Sequence, residues 1–245
     1  MNCDGVNASA SVDLSGLAEA RAKHPREFLL GHINICIWKI RAQIMIISET
    51  KIDSSYPDSQ FDVPSYSLYR NDRKKGGGGI LAYISSDLNS KRMKLQRRYK
   101  TFEPIVFEIE LKTKSVIVIG IYRSPSQAFT VAYQQQLVEE LNHICTWASL
   151  HKENIVLLGG RLRLDKAEGK VLRDLEETQG IYSLITKPTR IQRMGSHITE
   201  SLIDVILTNQ LEMFIDCGLY ESGLCDHALV YGFLNERCVN RRSRW

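Results

Sequence analysis

Residues 44–53 read IMIISETKID. The first five form a short, mostly apolar run, and the acidic Glu49 follows it directly. An apolar run of this length is typical of a strand that is buried on both faces. A charged side chain directly after such a strand lies at the edge of the sheet, where active sites of α/β proteins are usually built. The stretch therefore predicts a buried strand with a candidate functional carboxylate at its end.

The same pattern of short strands and polar strand ends continues along the chain. Further strands are predicted over residues 80–85, 102–111, 115–122, 155–158, 202–207 and 228–234, and one strand ends at Asn34. Residues 112–114 read KTK and predict a hairpin. Amphipathic helices are predicted over residues 129–150 and 170–179. Strands mixed with few helices favour one α/β domain of two packed sheets.

Length and composition fit a single intracellular domain. The 245 residues are enough for one large domain, and 43% apolar with 24% charged residues is ordinary for a globular protein. We expect a loose extension over residues 1–27, the domain over 28–234 and a basic tail over 235–245. The six cysteines lack zinc-like spacing and are interpreted as reduced thiols. No apolar run approaches the ~20 residues of a membrane span.

Positive charge is concentrated in two places, although the net charge is only +4. Residues 91–100 read KRMKLQRRYK, with six basic residues and no acid, and the tail adds Arg241, Arg242 and Arg244. Such clusters attract a phosphate backbone. A solvated face or a frayed basic tail is the alternative interpretation.

Candidate chemical groups stand in four segments at or near predicted strand ends. Glu49 follows a buried strand, and Tyr122 and Arg123 stand where a strand breaks. Asp204 lies inside the otherwise apolar strand 202–207, and Asp226 and His227 stand at the entry to a strand. Each alone also fits a solvated, capping or turn residue. Together they supply a carboxylate for Mg²⁺, an imidazole near a phosphate, a carboxylate to orient it, and donors for developing charge. A buried Asp204 is costly unless it is paired, and a histidine would explain it.

Six segments in order carry a resemblance to a known superfamily: Asn34, SETKID (48–53), YRNDRKKGGGGILAYI (69–84), GIYRSPS (120–126), LIDVILTN (202–209) and CDHALVYG (225–232). They resemble the endonuclease/exonuclease/phosphatase superfamily, and within it the apurinic-like endonuclease of LINE-type (non-LTR) retrotransposons. The resemblance covers residues 28–234. It implies a DNase I-like, four-layer α/β sandwich of two β-sheets flanked by helices.

The resemblance also implies a Mg²⁺-dependent endonuclease that acts on DNA in the nucleus. No membrane association is expected, and no obligate protein partner is inferred. It implies Glu49 as the principal Mg²⁺ ligand with the phosphate-binding Asn34 close to it. It implies Tyr122 near the scissile phosphate, Asp226 as a further acid at the metal site, and Arg123 as a phosphate contact. His227 would bind the phosphate and be oriented by Asp204.

Two departures from the superfamily pattern put catalysis in doubt. The family carries Gly-Asp-x-Asn after the strand that matches residues 155–158, and its Asp activates the attacking water. Here Gly160 stands at the Asp position and no Asn follows, which a short deletion explains; Asp165 is an alternative acid. The second departure is the link of seven residues, 35–41, between two strands. A parallel crossover usually needs about a dozen residues or more, so we expect a strained link or a displaced strand.

Three hypotheses follow from these patterns. The first is an active Mg²⁺-dependent DNA endonuclease whose rate is impaired by the missing segment. The second is a catalytically inactive remnant that binds nucleic acid or protein. The missing acid and the absence of reverse-transcriptase sequence in these 245 residues favour the second. The third is a phosphoinositide phosphatase or sphingomyelinase, which the segments IYRSP and LIDVILTN argue against.

Overall fold

Two six-stranded mixed sheets and a separate two-stranded ribbon make up the fold. A computed structural model describes residues 19, 21–24, 28–33, 42–74, 76–124, 130–162, 169–195, 197–221 and 226–236. The strands are β1 (Phe28–Ile33), β2 (Ile44–Ser48), β3 (Tyr66–Asn71), β4 (Ile80–Ser85), β5 (Asn89–Arg92), β6 (Glu103–Glu110), β7 (Ser115–Tyr122), β8 (Asn154–Gly160), β9 (Tyr182–Ser183), β10 (Arg190–Met194), β11 (His197–Ser201), β12 (Val205–Thr208), β13 (Phe214–Tyr220) and β14 (Leu229–Leu234). The helices are α1 (Val131–Ser149) and α2 (Gly169–Gln179), with short 3-10 turns at Asp58–Gln60 and Leu211–Met213.

The position of a strand inside a sheet or at its edge matches its burial. The first sheet has the order β13-β14-β1-β2-β4-β3 and the second β5-β6-β7-β8-β12-β9, while β10 and β11 form the ribbon. Strands β2, β7 and β8 are buried almost along their whole length and lie inside the sheets. The polar strand β5, NSKR, lies at an edge. Charged side chains at an edge discourage pairing with another chain.

The main core lies between the two sheets, which approach closely at Gly120. A Cβ at this position would lie 2.9 Å from side-chain carbons of Ile105 and Ile46 and 3.2 Å from Ile80. Ile46 and Ile80 belong to the first sheet and Ile105 to the second, and all three are buried. Glycine therefore permits the close contact of the two inner faces.

Helices α1 and α2 pack on the outer face of the second sheet. The apolar face of α1 presents Leu137, Leu141 and Ile144 to the β7 residues Ile117 and Ile119. Thr130 caps the helix by accepting a hydrogen bond from the Tyr133 backbone N–H at 3.2 Å. The structure confirms the α/β sandwich. No described helix is long and apolar enough to cross a membrane.

Most predicted elements are confirmed within a few residues, including the hairpin between β6 and β7. The predicted strand 202–207 is wrong at its beginning, because β12 starts at Val205. The backbone N–H groups of Ile203 and Asp204 donate to Thr189 Oγ1 at 3.0 and 2.9 Å instead of to a neighbouring strand. This side-chain acceptor turns the segment away from the ladder and positions Asp204.

The short link after β1 does not displace that strand. β1 pairs with β2 in parallel, with Leu30 opposite Ile44 and Ile33 opposite Ile47. The Gln43 backbone N–H donates to the Leu29 carbonyl at 2.8 Å, which extends the pairing to the residue before β2. Of the two expected consequences of the short link, displacement of the strand is therefore not observed. Residues 34–41, including Asn34, lie outside the described residues.

Two residues of the predicted N-terminal extension lie against the first sheet. The Arg21 guanidinium lies 5.9 Å from the centre of the Phe233 ring, and the His24 ring centroid lies 5.1 Å from the same ring. His24 Nε2 also lies 3.5 Å from a carboxylate oxygen of Asp216. These residues therefore cover part of the outer face of the first sheet.

Candidate active site

The candidate residues meet where the ends of β2, β7 and β8 adjoin the beginnings of β12 and β14. Tyr122, the last residue of β7, lies opposite Gly160, the last residue of β8. Gly159 in turn lies opposite Val205, the first residue of β12. Glu49 follows β2 directly. The antiparallel direction of β12 relative to β8 is what brings residue 204 to this edge.

Asp204 and His227 form a buried pair. Nδ1 of His227 lies 2.6 Å from Oδ2 of Asp204, and both side chains are only 3% exposed. The other carboxylate oxygen, Oδ1, accepts a hydrogen bond from the Arg161 backbone N–H at 3.2 Å. Contacts at both oxygens fix the carboxylate, which in turn fixes the orientation of the imidazole.

Glu49 lies between two cations. Its Oε2 is 3.2 Å from Nε of Arg161, and its Oε1 is 3.8 Å from Nζ of Lys51. Lys51 is 61% exposed, whereas the side chains of Glu49 and Arg161 are 14% and 20% exposed. The Arg161 contact is therefore the better shielded of the two ion pairs. Arg161 Nε is buried and lacks an aligned hydrogen-bond acceptor among the described residues, so charge rather than hydrogen-bond geometry holds it.

Unusual backbone conformations are concentrated around this ion pair. Glu49, Lys51 and Arg161 have φ of +58°, +58° and +60°. Non-glycine residues adopt this left-handed region only when the surrounding structure holds them there. Among the described non-glycine residues, Ser65 is the other residue with positive φ. The turns that carry Glu49 and Arg161 are thus strained and closely held.

A glycine-rich loop holds the turn after Glu49. The backbone N–H of Lys51 donates to the Gly78 carbonyl at 2.8 Å, and that of Thr50 to the Gly79 carbonyl at 3.3 Å. Gly79 has φ of +91°, and a Cβ there would lie 2.3 Å from Thr50 Oγ1. The absence of a side chain at Gly79 is therefore required both by the backbone conformation and by this contact.

We expect Gly79→Ala to lower the free energy of unfolding by about 1–3 kcal/mol, because it adds a clash to a left-handed backbone. Chemical denaturation monitored by circular dichroism measures the change. Gly180→Ala is the matched control, since Gly180 has φ of +60° but no atom within 4 Å of the added Cβ. Equal losses for the two variants would contradict the contact with Thr50 as a cause.

Tyr122 is a buried neighbour of the same charges. Burial, followed by the negative charge of Glu49, raises the pKa of Tyr122 to about 12. The positive charge of Arg161 acts in the opposite direction. Tyr122 is therefore a neutral hydroxyl over the physiological pH range, able to donate a hydrogen bond to an anion.

Arg123 supports the end of β8. Its side chain is buried, and its Nε donates to the Arg161 carbonyl at 2.8 Å. Its backbone N–H donates to the Gly160 carbonyl at 3.1 Å. The predicted phosphate contact of Arg123 stays a prediction, while its hydrogen bonds position the turn that carries Arg161.

Gly160 and Leu162 lie where the resemblance predicts the Gly-Asp-x-Asn signature. Gly160 offers no side chain opposite Tyr122. Leu162 is buried, its backbone N–H donates to the Ile203 carbonyl at 2.7 Å, and its Cδ1 would lie 2.4 Å from a Cβ at Gly159. An apolar side chain therefore fills the region that follows the strand. Asp165 lies outside the described residues.

Asp226 is paired with a cation that the sequence did not indicate. Its Oδ2 accepts a hydrogen bond from Arg190 Nε at 2.7 Å. Burial acts to raise the pKa of Asp226, but the hydrogen bond and charge of Arg190, with the charge of His227, outweigh it and lower the pKa. A pocket of about 170 Å³ opens beside Asp226 and His227, and Thr189 and Ile191 also line it.

The side chains as placed do not fit Mg²⁺. A divalent ion of this kind takes several oxygen ligands. Among the described residues, no three His, Cys, Asp or Glu side chains converge as a metal site. Glu49, the predicted principal ligand, instead faces Arg161 and Lys51. The predicted ligand Asn34 lies outside the described residues, and the role of Glu49 as a metal ligand stays a prediction.

Sequence reasoning missed three residues that shape the site. Arg161 stood in a stretch interpreted as the remnant of a deletion, so its charge was given no role. Thr189 and Arg190 are neighbours in the sequence, but neither lies in a predicted strand or a matched segment. Only the fold brings these two residues to Asp204 and Asp226. The positive charge at Arg161, next to the lost acid, was the one signal in the sequence that pointed to such a role.

Solved structures that superpose on this chain include two endonucleases and a 3′ phosphatase. The chain has the DNase I-like fold of these structures, which confirms the resemblance at the level of the fold. The endonuclease domain of TRAS1, a telomere-specific non-LTR retrotransposon, superposes with a TM-score of 0.61 and 14% identity, covering 85% of this chain and 98% of that one.

Two further structures support the same assignment of the fold. The 3′ phosphatase NExo from Neisseria, bound to a product DNA hairpin, has a TM-score of 0.59 and 15% identity over 85% of this chain and 99% of its own. An AP endonuclease from Archaeoglobus fulgidus has a TM-score of 0.56 and 13% identity over 85% and 99%. No protein-family model matches the chain, and no curated protein matches its sequence.

Proposed function

We propose that the chain is a nuclease-fold domain that binds DNA and in which Mg²⁺-dependent cleavage of phosphodiester bonds is strongly impaired. One observation carries the proposal. The buried pair of Asp204 and His227 is assembled at 2.6 Å, while the adjoining end of β8 presents Gly160 where a carboxylate is needed. The phosphate-binding half of the site is thus kept, and the water-activating half is lost.

Loss of the acid affects the rate more than the affinity. A general base contributes typically about 10²- to 10⁴-fold to such a reaction. Tyr122 and His227 are still positioned at the site, and both can hydrogen-bond a phosphate oxygen. Binding of a phosphodiester therefore needs less of the missing machinery than its hydrolysis does.

A basic groove beside the site supports DNA as the ligand. The groove has a volume of about 810 Å³ and is lined by four basic residues of the run 91–100, namely Arg92, Lys94, Arg97 and Arg98. Glu103 and Asn71 also line it, and Glu103 lies opposite Tyr122 in the sheet, so the groove leads to the candidate site. The basic tail lies outside the described residues, and the nuclear location stays a prediction.

Plasmid nicking tests the proposal. We expect the purified protein to nick supercoiled plasmid in Mg²⁺ at least about a hundredfold more slowly than an intact endonuclease of this fold, because the general base is missing. Conversion of supercoiled to open-circle DNA on a gel measures the rate, and binding is measured separately by fluorescence anisotropy with a labelled duplex.

Two variants separate residual activity from contamination. Glu49→Ala and His227→Ala should abolish any nicking that belongs to this site. Nicking by the wild type at the rate of an intact enzyme, lost in both variants, would show that the impairment is wrong. Residual activity that both variants retain would belong to a contaminant. Tight DNA binding without any nicking would favour the inactive binding module.

A further inference from the structure

We propose that the Arg161 guanidinium takes the place of the divalent cation at Glu49, so that the site binds a phosphodiester without any metal ion. The inference rests on the proposed function, since it names how that same site holds the DNA backbone. It assigns to Arg161 a ligand-binding role that the superfamily resemblance does not supply.

Arg161 is held at Glu49 from several directions. Its backbone N–H donates to Asp204 Oδ1 at 3.2 Å, and its carbonyl accepts from Arg123 Nε at 2.8 Å. Its side chain reaches Glu49 at 3.2 Å. The left-handed φ of +60° sets the direction in which the side chain leaves the turn. Asp204 therefore helps to hold Arg161 in place and also fixes the orientation of His227.

The charge at Glu49 is already compensated. A guanidinium stays protonated at any pH the protein experiences. A Mg²⁺ ion at Glu49 would have to approach this fixed positive charge at short range or displace it. Lys51, 3.8 Å from the other carboxylate oxygen, adds to the repulsion. The pair therefore disfavours binding of a divalent cation and leaves positive charge next to the groups predicted to bind phosphate.

A guanidinium is suited to a phosphodiester. It presents planar N–H donors that match two oxygens of one phosphate. Arg161 Nε is buried without an aligned acceptor among the described residues, and its side chain is 20% exposed. The neutral Tyr122 hydroxyl and the Asp204–His227 pair adjoin it. Together these groups form a binding site for an anion.

Binding of Mn²⁺ tests the first half of the inference. Electron paramagnetic resonance measures the free ion during titration of the wild type, Arg161→Gln, and Arg161→Gln combined with Glu49→Gln. We expect Arg161→Gln to bind Mn²⁺ at least about tenfold more tightly than the wild type, and the double variant to lose that gain. Arg173→Gln, on an exposed position of α2, makes the same change in net charge and should behave as the wild type. Equal affinity of the wild type and Arg161→Gln would overturn the inference.

DNA binding tests the second half. Anisotropy with a labelled duplex is compared in EDTA and in Mn²⁺ at equal ionic strength. We expect the wild type to bind equally in both buffers. We expect Arg161→Gln to lose about tenfold or more in EDTA, since a charge-assisted contact to the phosphate is removed, and to regain affinity in Mn²⁺. Arg161→Lys, which keeps a cation, should lose less in EDTA. Wild-type binding that requires Mn²⁺ would overturn the inference.

The two proposals fail in different ways. If Arg161→Gln gains no Mn²⁺ affinity while the wild type still binds DNA and nicks slowly, the inference is wrong and the proposed function stands. If the wild type binds no duplex in either buffer, the proposed function is wrong, and so is the phosphate site. Thermal melting of each variant shows that it is folded before either comparison is made.

Discussion

Asp204→Ala is expected to lower the free energy of unfolding by about 3–5 kcal/mol, because it removes one partner of a buried, hydrogen-bonded pair. The carboxylate meets His227 at 2.6 Å and the Arg161 backbone N–H at 3.2 Å. His227 and the Arg161 backbone N–H would both lose this acceptor. The side chains of Asp204 and His227 are only 3% exposed, so water cannot readily replace it. A buried polar group that loses its partner costs its full desolvation energy, and here two groups lose theirs.

Urea denaturation followed by tryptophan fluorescence and circular dichroism measures this loss. Asp204→Asn keeps the shape and one acceptor oxygen, so it should cost clearly less. Asp87→Ala is the matched control on an exposed position, expected within about 0.5 kcal/mol of the wild type. A loss below about 1 kcal/mol for Asp204→Ala would contradict the structural role of the pair. In the double variant with His227→Ala, the losses should not add, since the residues are in contact.

The sequence predicted the parts of the fold in which local pattern and burial agree. Strands β2, β4 and β7 are continuous apolar runs, and the structure has them within the predicted bounds. Strands β10 and β11 were missed because their ribbon is mostly exposed and carries RIQRM and HITES, which show no clear alternation. An edge or a ribbon does not need an apolar pattern, so such strands leave a weak signal.

The candidate residues of the site were predictable from the sequence, but most of their ion-pair partners were not. A buried Asp204 calls for a partner, and His227 was identified as the residue that would explain it. The cations at Glu49 and Asp226 were not predictable, because Arg161 and Arg190 reach them through contacts of the folded chain. Which partner a charged residue finds depends on long-range packing that no local pattern records.

The strained backbone around Glu49 also depends on contacts that are distant in the sequence. A left-handed conformation at a non-glycine residue costs of order 1–3 kcal/mol and persists only where surrounding contacts enforce it. At Glu49 and Lys51 the enforcing contacts are with the loop of Gly78 and Gly79, and at Arg161 they are with Asp204 and Arg123. The turns around Glu49 and Arg161 thus keep their strained conformations although Gly160 supplies no carboxylate at the site.

Neutralising three residues of the basic groove is expected to weaken DNA binding several-hundredfold at about 0.1 M salt. Each phosphate contact contributes a slope of about −0.9 to the dependence of log affinity on log salt, so three contacts contribute nearly three powers of ten at that concentration. The variant combines Lys94→Gln, Arg97→Gln and Arg98→Gln. All three residues line the groove and are exposed. The ion pair of Arg97 with Glu139 is exposed as well, so it does not prevent a phosphate contact.

The backbone beside the groove should keep its conformation in this variant, because Glu140, which is not changed, holds it. Glu140, buried on α1, accepts hydrogen bonds from the Thr101 backbone N–H at 2.9 Å and hydroxyl at 2.7 Å. The matched control neutralises exposed Lys112, Arg173 and Lys187 elsewhere on the surface, with the same change in net charge. Anisotropy between about 50 and 200 mM salt gives both slopes. If the two triple variants lose affinity and slope equally, net charge explains the binding and the groove is not the contact surface. A slope lowered by about three only in the groove variant places the DNA backbone along residues 94–98.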